Sequence, residues 1–194
     1  MKFHSFALSL LAVTACTAGG GSDLAFEERA SEFEGIYRVD THLMNESACA
    51  PGGLPMADMH SFAFAKRGSV FGTEFLQIWS CESLDDCRAK AAQDQVSAPI
   101  SFGFTLTSVE GEALTGFEAT TGWTDGSNTC SMPELADIVI ELDGTALRLE
   151  KAIRVGADYT ASNGVCTTDR GRASAEKAEC SQMETLTATF VEAL

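Results

Sequence analysis

A mainly β fold is predicted, an antiparallel meander of about eight strands forming a barrel or sandwich with one or two short helices. Three observations carry this prediction. From Gly35 onward, apolar and polar residues alternate with period two in one segment after another. Most of these segments are joined by short links, which favours antiparallel neighbours. Each has one apolar and one polar face, as strands around a single core do.

In residues 36–43, Tyr37, Val39, Thr41 and Leu43 share one face, and Ile36, Arg38, Asp40 and His42 share the other. Residues 45–57 form a loop with Cys49, two prolines and two glycines. Residues 60–66 alternate again, with Phe62 and Phe64 together. After Arg67-Gly68, residues 70–81 read as one long strand. Ser83 then caps a helix through Leu84, Cys87, Ala91 and Ala92, with Asp85 and Asp86 in its favourable first turn. Residues 100–108 are the cleanest strand: Ile100, Phe102, Phe104 and Leu106 face one way. Glu110-Gly111 turns the chain into a strand over 113–121, and residues 125–133 are a polar loop. Residues 136–155 read as a hairpin around Asp143-Gly144. A short strand follows within 159–166, then a helix over 172–182. Leu186, Ala188 and Phe190 mark a last, paired strand. Trp79, Phe102, Phe104, Phe117 and Trp123 fall at core parity and are expected to pack in the interior.

The first residues differ in kind from this body. Lys2 is followed by an apolar run over 6–13, broken only by Ser9, and then by the small residues Thr14 and Ala15. This reads as a secretory signal. The run is well short of the roughly 20 apolar residues that a membrane-spanning helix needs. The stretch Val13-Thr14-Ala15-Cys16 resembles the lipobox of bacterial lipoproteins, with Val where Leu is usual. The resemblance implies that Cys16 becomes the N-terminus of the mature chain and carries acyl chains, palmitate among them. Several chains anchor stably where one does not. Thr17 stands where Asp would retain such a protein in the inner membrane, so outer-membrane sorting is implied. The expected organisation is a signal peptide over 1–15, a lipidated Cys16 with a flexible acidic tether over 16–34, and a single β-rich domain over 35–194. Residues 23–34 have room for one short helix, with Ser22 as its N-cap.

Seven cysteines fit this address. With Cys16 lipidated, Cys49, Cys81, Cys87, Cys130, Cys166 and Cys180 remain, an even set suited to disulfides in an exported protein. Cys81 with Cys87 and Cys166 with Cys180 can close local loops. Alternatively, both helices can be tied to strands through Cys49 and Cys130. Local closure of Cys81 with Cys87 is the expectation.

The formal charge of −15 disfavours nucleic acid, whose binding rests on Lys and Arg against phosphate. Gly-x-Ser-x-Gly, Walker and dinucleotide patterns are absent. Asp40-Thr41-His42 and Asp58-Met59-His60 have a spacing that places two ligands on one strand face. His42 shares its face with Arg38, however, and His60 with Phe62 and Phe64. A shared metal is not expected: His42 should lie on the surface and His60 at a strand end. No cofactor is expected.

Gly35-x-Tyr37 on the first strand, with a helix before the last, resembles calycin or lipocalin-like barrels. The lipocalin signature has Trp where Tyr37 stands, and the helix after Ser83 is not part of its pattern. The wider resemblance is to small, Cys-rich, mostly-β bacterial lipoproteins of unassigned activity. It implies a lipid-anchored envelope protein that binds a small apolar ligand or a protein partner, or an interaction module of the envelope. An enzyme is not expected.

Overall fold

A computed structural model of the protein describes residues 21–56, 60–70, 72–93, 103–124 and 128–194. The leader, Cys16 and the first part of the expected tether lie outside the described residues, as do Asp58, residues 100–102 and residues 125–127. In chain order the elements are α1 (Gly21–Glu32), β1 (Gly35–Asn45), β2 (Leu54–Pro55), β3 (Phe62–Val70), β4 (Thr73–Cys81), α2 (Leu84–Ala91), β5 (Gly103–Leu106) and β6 (Ser108–Glu110). They continue with β7 (Ala113–Ala119), β8 (Thr129–Cys130), β9 (Glu134–Asp143), β10 (Ala146–Val155), β11 (Tyr159–Thr160), α3 (Thr168–Ala175) and β12 (Gln182–Glu192).

The main sheet runs β5-β4-β3-β1-β12-β10-β9-β7-β6, with β2 paired to β1 at the side and every pairing antiparallel. Its two edges, β5 and β6, are consecutive in the chain and joined through Thr107 alone. The sheet therefore curls until its edges meet. The Thr107 amide donates to the Thr115 carbonyl on β7 at 2.9 Å. At Gly116, a Cβ would stand 2.2 Å from the carbonyl oxygen of Thr105. Only glycine lets the two edges approach this closely, and the result is a nearly closed barrel. The last strand closes the other side: β12 pairs with β1 from Ile36↔Glu192 to Asn45↔Met183.

The interior is filled by side chains of alternating residues. Val39, Ala65, Leu76, Ile78, Phe104, Leu106, Leu114, Ile138, Ile140, Leu149, Leu186 and Ala188 are all buried in one cluster. In a barrel of about eight strands, the inward side chains are enough to fill the bore.

One end, here the floor, is plugged by α1. Phe26, Ala30 and Phe33, spaced i, i+4 and i+7, are buried in the same cluster. The Arg29 Nε donates to the Glu112 carbonyl at 2.7 Å, which fastens α1 to the turn between β6 and β7. The Tyr37 hydroxyl donates to the Phe33 carbonyl at 2.7 Å inside the core. The expected flexible tether up to residue 34 is thus corrected over 21–34. Two phenylalanines on one helical face give this segment apolar surface to bury, so it joins the domain.

A second, smaller core lies on the outer wall. Ile36 and Phe64 point outward and are covered by α2, with Cys81, Cys87, Trp79 and Leu84 around them. Ser83 caps α2 as expected, accepting from the Asp86 amide at 3.2 Å. The Lys66 ammonium closes its other end by donating to the carbonyls of Ala91 and Gln93 at 2.7 and 2.8 Å.

Three boundaries differ from the expectation. β3 continues through Arg67-Gly68 to Val70, and the chain turns before Thr73, so residues 70–81 are not one strand. Gly68 stays in the strand because the Phe75 ring lies across it, 2.5 Å from where a Cβ would stand. The hairpin turn falls on Gly144-Thr145, because Asp143 still pairs with Ala146. Gly144 supplies the positive φ that the first position of such a turn needs. α3 begins earlier than expected and ends at Ala175, and β12 already starts at Gln182.

The six cysteines form three pairs at disulfide separations: Cys49–Cys180, Cys81–Cys87 and Cys130–Cys166, with Cα–Cα distances of 5.5, 5.3 and 5.7 Å. Cys81 closes a local loop, whereas Cys166 and Cys180 reach Cys130 and Cys49. Cys81–Cys87 ties α2 to the outer wall beside Ile36, whereas Cys49–Cys180 and Cys130–Cys166 join loops and strand ends at the barrel's other end, the mouth. There β8 and β11 form a separate two-stranded sheet.

Candidate functional site

Inside the mouth half of the barrel runs a chain of charged side chains. The His42 Nε2 on β1 is 2.6 Å from Glu184 Oε1 on β12. A carboxylate only accepts, so Nε2 carries the hydrogen. The other oxygen of Glu184 is 3.7 Å from the Lys151 Nζ on β10. Lys151 in turn donates to Glu118 Oε2 on β7 at 2.7 Å, and its ammonium sits 5.5 Å from the centroid of the Phe104 ring. Side-chain exposure rises along the chain, from 2% at His42 through 7% at Glu184 and 18% at Lys151 to 34% at Glu118. The chain thus leads from the core toward solvent and links four walls of the barrel.

His42 reaches this place by a β-bulge. The pairing of β1 with β12 shifts between Val39 and Thr41, and Asp40 and Thr41 are both exposed. One extra residue reverses the parity of everything after it. The expectation of a surface His42 on the face of Arg38 is corrected for this reason. Asp40 stays outside, accepting from Arg38 and from the Thr189 hydroxyl, so Asp40 and His42 do not share a face. His60 precedes β3 and is half-buried, near Asp86 on α2. His42 and His60 therefore do not meet. Among the described residues, no three His, Cys, Asp or Glu side chains are placed to hold a metal ion.

Glu184, Lys151 and Glu118 were not singled out from the sequence, although a signal for them exists. Glu184 shares parity with Leu186 and Ala188, Lys151 with Leu147 and Leu149, and Glu118 with Leu114. A charge on the apolar parity of three separate strands marks an interior polar cluster.

The rim of the mouth is a second candidate surface. Trp123 and Ser131 exchange both backbone hydrogen bonds, at 3.0 and 2.8 Å. Gly122 before it, at φ +72, fits against the Ser131 carbonyl. This bridge holds Trp123 at 59% exposure. Met132, Val165 and Leu54, on neighbouring segments of the same rim, are exposed as well. Phe117 is 52% exposed on the outer wall, under the Arg172 guanidinium at 4.6 Å. The expected interior packing is thus corrected for Trp123 and Phe117. Phe104 is buried in the bore, Trp79 packs on Phe64 in the outer core, and Phe102 lies outside the described residues.

No family model, no curated protein and no solved structure matches this chain. No described helix is long and apolar enough to cross a membrane.

Proposed function

We propose that this protein is a lipid-anchored component of the bacterial cell envelope, sorted to the outer membrane, that binds a protein partner through the mouth of its barrel. The single observation that carries the reading is Trp123. A tryptophan held largely exposed by a two-way backbone bridge, on a rim braced by cysteine pairs, is the kind of rigid aromatic anchor that dominates protein interfaces. The filled bore favours a protein partner over a small apolar ligand inside the barrel. The lipobox-like stretch at Cys16 lies five residues before the start of α1, and α1 plugs the floor. On this reading the floor faces the membrane and the mouth faces away from it.

Two measurements in the native host test this. Radiolabelled palmitate should be incorporated by the wild type and lost in Cys16→Ser. A photocrosslinking residue at position 123 should give a discrete protein adduct, and the same residue at position 191, near the floor, should not. Adducts of equal yield from both positions would overturn the proposed orientation. An apolar small molecule co-purifying with the protein would favour the carrier reading instead.

A further inference from the structure

Beside the mouth, a groove of about 600 Å³ separates the face of α3 from the segment that leads into β11. This volume is in the range of small-molecule sites. Asp158, Tyr159 and Thr160 line one wall, Arg170, Ser174 and Lys177 the other, and alanines contribute the rest. The walls are fixed to one another. The Ser174 hydroxyl donates to the Ala157 carbonyl at 2.6 Å, and Arg170 Nη1 donates to the Thr160 carbonyl at 2.8 Å. The Tyr159 hydroxyl bonds to the carbonyls of Thr121 and Thr167. Gly156 packs so closely on α3 that a Cβ would stand 2.6 Å from the Ala175 nitrogen.

The charge in this groove is unusual for the molecule. Most described Lys and Arg side chains are ion-paired with a carboxylate, from Arg29–Glu32 through Arg67–Glu34 and Arg88–Glu192 to Arg172–Glu176. Arg170 and Lys177 line the same groove and have no carboxylate partner among the described residues. Arg170 spends one nitrogen on a carbonyl, which leaves its other N–H groups for a forked bond. The one acid on the walls, Asp158, turns its oxygens to the Ser131 hydroxyl and the Met132 amide and keeps its charge, so the two cations give the groove one net positive charge. In a chain of formal charge −15, two cations without a carboxylate partner facing one cavity form a local site for negative charge.

We propose that this groove binds a small organic anion. Its carboxylate or phosphate head is held by Arg170 and Lys177, and its body lies along the alanines and Tyr159. This site is separate from the protein-binding rim and does not depend on it.

The test is titration of the full-length protein with succinate, inorganic phosphate and the uncharged succinamide, followed by backbone amide shifts. Saturable shifts centred on residues 157–160 and 170–178 are expected with one or both anions and not with succinamide. The two anions tell a carboxylate site from a phosphate site. Lys177→Gln, which removes no side-chain hydrogen bond or ion pair among the described residues, should weaken binding about tenfold, the loss of one charge-assisted bond. Arg170→Met should weaken binding as well, and should also lower the melting temperature slightly through the lost bond to the Thr160 carbonyl. Arg148→Gln is the control, because Arg148 also lacks a carboxylate partner among the described residues but lies outside the groove. Equal weakening in Arg148→Gln would mean that only net charge is being read, and would overturn the site. So would the absence of saturable shifts with either anion.

Discussion

His42 and Glu184 stand 142 residues apart in sequence and 2.6 Å apart in the barrel, on β1 and β12, which pair in the middle of the sheet. Both side chains are almost fully withdrawn from water. Removing Glu184 takes away the acceptor of the buried His42 Nε2–H, and losing one partner of a buried hydrogen bond costs about 1–3 kcal/mol, whereas replacing both with apolar groups of similar shape is often close to neutral. Glu184→Leu is therefore expected to lower unfolding stability by about that amount. His42→Leu with Glu184→Leu should recover a substantial part of it. Denaturant unfolding of the four proteins in the cycle measures the coupling. Strict additivity of the two losses would mean that the pair contributes nothing specific.

Gly116 sets how tightly the barrel closes. In Gly116→Ala, the new methyl would meet the backbone of Thr105 and Leu106, which cannot swing aside as a side chain could. The expected loss is about 1–3 kcal/mol, the usual range for overpacking. Amide exchange should quicken on β5 and β7 before it does on β1 and β12. Uniform acceleration across the sheet would argue against a local seam at Gly116.

Tyr37 provides a pH signature. Burial pushes its phenol from the ordinary value of 10.0 up to about 12. The neutral form is the one the fold favours, so its contribution is complete below pH 10. It is lost as pH rises from 10 toward about 12. Two pKa units correspond to roughly 2.7 kcal/mol. Stability measured across this interval should fall in the wild type and fall less in Tyr37→Phe. A near-ultraviolet titration should show a late phenolate step that the variant lacks. Ionisation of Tyr37 near its ordinary value would refute the assignment.

The three cysteine pairs should differ in what they contribute. Cys49 and Cys180 are 131 residues apart, and Cys81 and Cys87 only 6. On the chain-entropy account, the first bridge is worth about 5 kcal/mol and the second about 2 kcal/mol. Replacing Cys49 and Cys180 together by Ser should therefore lower the melting temperature far more than replacing Cys81 and Cys87. Peptide mapping without reduction should recover the three pairs seen here, and Cys81 linked to any other cysteine would contradict them.

The antiparallel β fold, barrel or sandwich, was legible in the sequence because period-two alternation is a local signal, and β9, β10 and β12 carry it along most of their length. The same local reasoning assigned Phe104 and Leu106 to the core. It failed where one residue changes the count. The bulge before His42 leaves no mark in composition, yet it moves an imidazole from the surface to the interior. Trp123 and Phe117 were misplaced because aromatic character alone does not state parity; Leu114, Gly116 and Glu118 claim the inward face of β7. The short helix expected over 23–34 is present as α1, and only its docking into the barrel went unforeseen, because its acids outweigh Phe26, Ala30 and Phe33 in a compositional reading. The ion chain was missed for a different reason. It brings together residues from four strands, and sequence distance hides their neighbourhood.

The pairing of Ile36 with Glu192 has a mechanical consequence. The chain enters the barrel wall through β1 and leaves it through β12 side by side at the floor. Any pull applied through the segment before β1 is thus met first by the α1 plug and then by the long β1–β12 seam. Among the described residues, the mouth is doubled-back chain stapled by Cys49–Cys180 and Cys130–Cys166, away from where the chain enters and leaves the wall. Whatever docks there would hold a rigid crown while the strain is taken up at the opposite pole.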